Sequence, residues 1–418
     1  MESKTGNSID AIFVGGSGTR SPGHRVCIVR KRLTQTFFIC YNRRGTWDEV
    51  VYMTYRERFE AAIHRKSVDR APFDLEGTPM SKIMTPRLWD ELCEALGVRG
   101  DDRRERALRA LDIDFRPVGG MPTPANAVAR RISPTRNVDF WGIEHALVGN
   151  DWQITKNPLK DATIEDLDAF PWPDAARIDP KEIDAWRDEA KRLYEETDYV
   201  VAGEHPVYGV MELGCWMCGF DDFLYRLAGE PEFVERFFGH VWRYQADVID
   251  LYYSKLGPYI HLTTSGDDFG TQNAPFLSPR MFSELVAPFY DRRIALTGTY
   301  TRAHFFHHSC GSVFSLIPRL IESGVEILNP IQPNARDMEP EKLRDVFGDR
   351  LAFWGGIDTQ RVLPEGSSDE VAAHVRAVCT AFGKRGGYVF APGHCLQDDV
   401  PAKNIVRMYE AAREYYGA

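Results

Sequence analysis

The sequence predicts an α/β protein folded as a single (β/α)8 barrel behind an N-terminal extension, and three observations carry that prediction. Six strand-then-helix units follow one another from residue 180 onward, and helical crossovers of that length build parallel sheets. Each apolar strand pattern runs into polar or glycine residues, as expected where strand ends deliver groups to a common mouth. None is followed by the G-x-G-x-x-G turn of a dinucleotide-binding open sheet.

Residues 1–52 stand apart from this pattern. Their eight Lys/Arg against four Asp/Glu give +4, so the remainder carries −14 of a chain total of −10. Val14-Gly15-Gly16-Ser17-Gly18-Thr19 has the flavour of a phosphate loop, but no Gly-Lys-Ser/Thr follows and no helix opens after it. The segment is expected to be disordered or non-native, with Met53 the better start and the barrel spanning 53–418. Thr54 and Glu57 have capping-box spacing, and the helix after them places Phe59, Ala62 and Ile63 on one face. Arg70-Ala71-Pro72-Phe73 begins an extended segment, helical patterns cover 86–96 and 103–111, and the region 70–150 supplies the two remaining strands. Asp139-Phe140-Trp141-Gly142 falls among turns and short strands. Residues 165–174 read as a linker, because two prolines end any helix there.

The alternation then becomes regular. A helix over 180–196 precedes a strand over 199–202, which ends at Gly203-Glu204-His205-Pro206. Helices near 221–227 and over 231–256 precede a strand over 259–264, which ends at Ser265-Gly266-Asp267-Asp268. A helix over 279–296 leads to a strand ending at His308, and one over 313–323 leads to a strand ending at Asn329-Pro330. A helix over 340–347 leads to Gly355-Gly356-Ile357-Asp358, one over 368–382 leads to His394, and a last amphipathic helix covers 402–415.

A hydrophobic fraction of 43% and a charged fraction of 27% are those of a soluble globular protein. The acidic balance argues against nucleic acid as the main partner. No apolar run approaches the ~18 residues of a membrane span, and the N-terminal residues lack a signal-peptide core. Eight scattered cysteines without a framework pattern point to a reduced, cytoplasmic setting.

Candidate chemistry gathers at the strand ends. His308 and Cys310 are spaced H-x-C; if Ser309 reverses the chain, both side chains point into one cavity, and both suit a borderline-soft metal such as zinc. Gly393-His394-Cys395 offers a third donor. The ordinary alternative is a set of hydrogen-bonded rim residues, since H-x-C lacks the specificity of paired C-x-x-C motifs. Of Asp267 and Asp268, at least one carboxylate is expected to face the cavity for substrate binding or proton transfer, the ordinary role being a helix cap or an ion pair. Glu204, His205 and Tyr208 are candidates for the same mouth, with a structural role as the alternative. Asn329 and Asp358 are placed to orient ligands. Cys215-Trp216-Met217-Cys218 is a lone C-x-x-C, read as core packing.

At these strand ends the chain resembles the uroporphyrinogen decarboxylase superfamily, which includes methyltransferases that work with corrinoid proteins. The matching stretches are Gly266-Asp267-Asp268-Phe269-Gly270-Thr271-Gln272, His308-Ser309-Cys310-Gly311-Ser312, Asn329-Pro330-Ile331-Gln332-Pro333, Phe353-Trp354-Gly355-Gly356-Ile357-Asp358 and Gly393-His394-Cys395-Leu396-Gln397. The resemblance covers 53–418 and implies a distorted (β/α)8 TIM barrel. The decarboxylases of this superfamily carry an Arg-Gln-Ala-Gly-Arg stretch that binds substrate carboxylates, whereas this chain has the acidic Phe73-Asp74-Leu75-Glu76-Gly77, which repels a polycarboxylate. The methyltransferase branch has a zinc site of His-x-Cys and a later Cys. His308 and Cys310 match its first two ligands; the third position falls on His394, with Cys395 one residue on, so that either completes the set. The resemblance therefore implies zinc-assisted methyl transfer between a small methoxy, methylamine or methylthiol substrate and a separate corrinoid protein, since the chain has no Asp-x-His-x-x-Gly corrinoid motif of its own. The alternatives are a decarboxylase of uroporphyrinogen or a smaller carboxylated substrate, and a non-catalytic ligand-binding barrel.

Overall fold

The structure, a computed structural model, describes residues 27–32, 35–41, 47–51, 53–125, 128–149, 151–383 and 386–417. Within the segment expected to be an extension, β1 (Cys27–Arg32), β2 (Gln35–Tyr41) and β3 (Trp47–Val51) pair antiparallel with one another as a three-stranded sheet. The rest of that expectation lies outside the described residues.

The helix Tyr55–Ile63 starts at the expected capping box: Thr54 accepts from the Glu57 amide and the Glu57 carboxylate accepts from the Thr54 amide. After it, β4 (Phe115–Val118) opens the barrel. A four-stranded antiparallel sheet follows, of β5 (Arg130–Ser133), β6 (Arg136–Val138), β7 (Glu144–Val148) and β8 (Asp151–Lys156). This is the region of turns around Asp139-Phe140-Trp141-Gly142. The Asp139 carboxylate accepts from the Trp141 and Ile143 amides and fixes the turn between β6 and β7.

The remaining barrel strands are β9 (Val200–Gly203), β10 (Leu262–Gly266), β11 (His304–His308), β12 (Ile327–Ile331), β13 (Ala352–Ile357) and β14 (Tyr388–Pro392). They pair in parallel in the order β14-β13-β12-β11-β10-β9-β4. The seam between β4 and β14 is closed by a strand reduced to a few residues. Phe73 bridges Phe390 in parallel, the Asp74 amide donates to the Phe390 carbonyl, and the Asp114 amide donates to the Phe73 carbonyl. The result is the distorted (β/α)8 barrel that the sequence predicts.

Period-two alternation decides which side chains fill it. Phe115, Val200, Ala202, Leu262, Phe306, Ile327, Ala352, Trp354, Val389 and Ala391 form one interior cluster, joined at one end by Phe59 and Ile63 of the helix Tyr55–Ile63. That helix plugs the N-terminal end of the barrel. On β11 the alternation puts His304, Phe306 and His308 inward, while Phe305 and His307 turn toward the surrounding helices. His307 is wholly buried there, stacked on Phe269, its Nδ1 3.0 Å from Ser265 Oγ. Cys215 and Cys218 are buried in the helix Val210–Cys218, and burial pushes both thiols up. No helix among the described residues is long and apolar enough to cross a membrane.

Candidate metal centre at the barrel mouth

His308 is the last residue of β11, and the four residues after it turn sharply. Each of their amides is tied to a neighbouring strand end: Ser309 donates to the Asn329 carbonyl at 2.8 Å, Cys310 to Asp268 Oδ1 at 2.7 Å, Gly311 to Gln332 Oε1 at 2.9 Å and Ser312 to the Thr271 carbonyl at 2.7 Å. Gly311 has φ +83°, and a Cβ there would lie 2.4 Å from the Gly270 carbonyl oxygen, so only glycine fits. This turn aims the Cys310 thiol back at the ring of His308.

The Cys310 Sγ lies 3.4 Å from His308 Nε2. His394, from the loop after β14, brings its ring against His308 with centroids 5.5 Å apart. One ligand atom from each of His308, Cys310 and His394 lies within 4.8 Å of the other two. A tetrahedral ion with bonds of about 2.3 Å to sulfur and about 2.0–2.1 Å to nitrogen holds neighbouring donors roughly 3.5 Å apart. The His308–Cys310 separation already has that value.

The supporting hydrogen bonds set the state of each donor. Asn329 Nδ2 donates to the Trp354 carbonyl, so its Oδ1 accepts from His308 Nδ1 at 2.6 Å. The proton therefore sits on Nδ1, and the Nε2 lone pair faces the thiol. Burial pulls the His308 pKa down, and burial followed by the neighbouring His308 pulls His394 down to about 4. Both rings are neutral near pH 7, the form that ligates metals. Burial, followed by the Asp268 and Glu212 carboxylates, pushes the Cys310 thiol up. A divalent cation among these donors would reverse that balance and favour the thiolate.

Asp268 and Asp267 take separate positions. Asp268 is partly exposed; besides the Cys310 amide, its Oδ1 lies 3.6 Å from His308 Nε2. Asp267 is fully buried and accepts from the Met211 and Glu212 amides at 2.9 and 2.7 Å and from the Tyr290 hydroxyl at 3.0 Å. It caps the N-terminus of the helix Val210–Cys218 from a neighbouring strand, and burial lifts its carboxyl to about 7. Gly209 makes this possible, since a Cβ there would sit 2.2 Å from the Asp267 carboxylate.

Glu212, in the first turn of that helix, joins the site without having been picked out from sequence. It accepts from the Asp268 amide, and burial, Asp267 and Asp268 together raise its carboxyl well above the ordinary range. The three donors on Asp267 favour the charge on that carboxylate and the shared proton on Glu212.

Cys395 turns away from the cluster, its Sγ 3.2 Å from the Pro79 carbonyl oxygen. A cavity of about 480 Å³ opens beside Cys310 and His394, walled by the amides Gln272, Gln332, Asn334 and Gln360 and by Asp358. Asp358 is itself held by the Gln360 and Arg361 amides and by Asn334 Nδ2. Glu204, His205 and Tyr208 are not among the residues that wall the cavity. Glu204 pairs with Lys82 at 2.5 Å, the His205 ring packs over Gly266, and Tyr208 stands edge-on to Trp216. Burial drives the His205 pKa down to about 3, so its ring stays neutral.

Comparison with known proteins agrees with this architecture. The uroporphyrinogen decarboxylase (URO-D) family model matches residues 154–415, and the chain belongs to that family. Among solved structures, a methyltransferase from Methanosarcina mazei superposes with a TM-score of 0.60 at 15% identity, covering 87% of this chain and 99% of that one. A protein assigned as a vitamin-B12-independent methionine synthase from Listeria monocytogenes reaches a TM-score of 0.38 at 11% identity, covering 83% and 96%. No curated protein matches in sequence. At 15% identity the likeness to the Methanosarcina mazei structure speaks to the fold alone.

The tautomer argument gives the first expected result. Asn329→Ala removes the acceptor that fixes His308, and metal affinity is expected to fall about 10–100-fold. Competition with a coloured chelator measures it. An unchanged affinity means the ring is oriented by packing alone.

Proposed function

We propose that this protein is a zinc-dependent methyltransferase that moves a methyl group between a small methylated compound and a separate corrinoid protein. The observation that carries the reading is the three-donor cluster of His308, Cys310 and His394, two of which, Cys310 and His394, line a cavity of about 480 Å³ walled by four side-chain amides and the Asp358 carboxylate. Three protein ligands and one open position are the pattern of a catalytic rather than a structural zinc site. His308, Cys310 and His394 would hold the ion, which as a Lewis acid would draw charge from the heteroatom that gives up or receives the methyl group. Asn329 holds the His308 tautomer, and Asp268 fixes the Cys310 turn through its amide. Gln272, Gln332 and Asn334 supply hydrogen-bonding groups for a neutral substrate, and Asp358 favours one that is neutral or cationic. The methyltransferase fold neighbour fits this reading. The setting we infer is cytoplasmic.

Decarboxylation of a uroporphyrinogen-type substrate is the reading that the family name favours. Neither Lys nor Arg stands among the described residues that wall the cavity, so a polycarboxylate meets no bidentate clamp from them. The Asp74 carboxylate, in place of the basic stretch, is buried and accepts from Trp354 Nε1 at 3.0 Å, and burial raises it to about 7. The deciding assay offers the zinc-loaded full chain methanol, methylamines and methylthiols with a reduced corrinoid protein as acceptor, and uroporphyrinogen separately. Methylation of the corrinoid from one of the three classes, with uroporphyrinogen untouched, is expected. Carboxyl loss from uroporphyrinogen without any methyl transfer overturns the proposal, and inactivity on both sides leaves the ligand-binding barrel as the better description.

A further inference from the structure

A second constellation lies at the opposite end of the barrel. The inward face of β11 carries His308 at the mouth, Phe306 in the interior and His304 at the bottom. The helix Tyr55–Ile63 plugs that bottom with Phe59 and Ile63, and it brings Glu60 and His64, one turn apart, to the ring of His304. Glu60 Oε2 lies 3.3 Å from His304 Nε2 and 3.6 Å from His64 Nδ1, a nitrogen that also lies 2.9 Å from the Glu60 carbonyl oxygen and would give up that bond to an ion. One ligand atom from each of the three residues lies within 4.8 Å of the others.

These separations carry chemical content. Donors on a tetrahedral zinc-like ion with bonds of about 2.0–2.2 Å stand roughly 3.3–3.6 Å apart. The two Glu60 distances fall in that interval. The second observation concerns the far side of the His304 ring. Its Nδ1 lies 3.0 Å from Glu326 Oε1, while the other Glu326 oxygen accepts from the Phe305 amide at 3.0 Å. A carboxylate that is itself anchored, holding the outer nitrogen of an imidazole, is the usual support of a metal-bound histidine. Phe59 stands edge-on to the same ring at 5.7 Å and limits its rotation. The third observation is space on the Glu60 side of the cluster: a groove of about 480 Å³ is bordered by Glu60, His261, Thr301 and Arg302, with His64 and His304 outside its wall.

We propose that Glu60, His64 and His304 form a second divalent transition-metal site, of the zinc type, at the N-terminal end of the barrel, with Glu326 orienting His304. The ion clasps the plug helix Tyr55–Ile63 to β11. Nothing in this site depends on the chemistry of the mouth, so it stands or falls separately from the methyltransferase reading. The competing arrangement is a proton in place of the metal. Burial draws the His304 pKa down, but hydrogen bonds to Glu326 and Glu60 outweigh it and hold it up at about 9. An imidazolium between two carboxylates would then be the whole function of the cluster.

Zinc counting separates the two. The full chain is stripped with chelator, given zinc alone, passed over a desalting column and analysed for metal. Wild type is expected to hold two equivalents and Cys310→Ser one, the bottom site being the one that survives. Adding His64→Ala or Glu60→Gln to Cys310→Ser is expected to remove it. His64 and Glu60 are about half exposed, at 53% and 48%, so both replacements leave the fold intact. Zinc is also expected to raise the Tm of Cys310→Ser by a few degrees, and to leave the double variants unmoved. The proposal fails if Cys310→Ser binds no zinc, or if its zinc is indifferent to both His64→Ala and Glu60→Gln. A single wild-type equivalent that is lost with His64→Ala and kept with Cys310→Ser would uphold the bottom site and refute the one at the mouth.

Discussion

Replacing Cys310 by Ser is expected to lower methyl transfer by at least about a thousandfold, roughly 4 kcal/mol of transition-state stabilisation, with loss of the mouth metal and an almost unchanged Tm. The size follows from the ligand chemistry. A buried serine hydroxyl does not deprotonate to ligate zinc, and two imidazoles alone hold the ion weakly. The unchanged Tm follows from what builds the turn. The amides of Ser309, Cys310, Gly311 and Ser312 go to Asn329, Asp268, Gln332 and Thr271, and none of these bonds involves the thiol. The third ligand is tested in the same series. His394→Ala is expected to release the mouth metal, whereas Cys395→Ala is expected to keep it, because Cys395 Sγ is engaged at 3.2 Å with the Pro79 carbonyl. Full rate and full metal in Cys310→Ser would end the proposal, and metal loss in Cys395→Ala with retention in His394→Ala would exchange the third ligand.

The barrel was legible because its helices carry long amphipathic patterns. The expected spans 180–196, 231–256 and 368–382 coincide with Pro180–Glu196, Pro231–Leu256 and Ser368–Phe382. Strand ends were legible for the same reason, since polar residues after an apolar run mark where a strand leaves the core. The H-x-C pair could be read because both residues fall on one short turn. What escaped depends on approach in three dimensions. Glu212 is an ordinary glutamate in a helix; it matters because Gly209 lets that helix end sit over Asp267. Asp267 and Asp268 are adjacent in sequence, yet one caps a helix and the other reaches the thiol loop, a division that only the packing of β10 against β11 makes. The choice between His394 and Cys395 lies just past the end of β14, where strand alternation no longer predicts direction. The sheet of β5 to β8 is built from strands of three to six residues with mixed exposure, too short for periodicity to speak. Glu60, His64 and His304 are 244 positions apart at their extremes, and nothing in sequence joins a plug helix to the start of a distant strand.

The barrel seam gives the other large effect: Asp114→Ala is expected to destabilise the fold by about 3–5 kcal/mol and lower the Tm on the order of 5–10 °C. Asp114 immediately precedes β4 and is fully buried. Its Oδ1 accepts from an Arg58 Nη at 2.7 Å, and its Oδ2 from an Arg70 Nη at 2.7 Å and from the Phe73 amide at 2.8 Å. One carboxylate thus ties the plug helix and the reduced strand at Phe73 to β4. The arginines do have other partners, Asp69 for Arg58 and Asp112 for Arg70. Both guanidinium groups are nonetheless almost wholly buried, and each would lose a charge-assisted bond that no water replaces, while the Phe73 amide would lose its acceptor. Phe73 meets β14 through a bridge rather than a full ladder, with the Asp74 and Phe390 amides donating to the Phe390 and Pro72 carbonyls, and Asp114 adds the ionic tie across the β4 side of that closure. Asp114→Asn keeps the shape and one acceptor oxygen, so its loss is expected to be smaller than that of Asp114→Ala. Denaturant melts of both variants measure the difference. A loss below about 1 kcal/mol for Asp114→Ala would mean that the apolar contacts of Phe59, Phe73 and Phe115 close the barrel without the ion network.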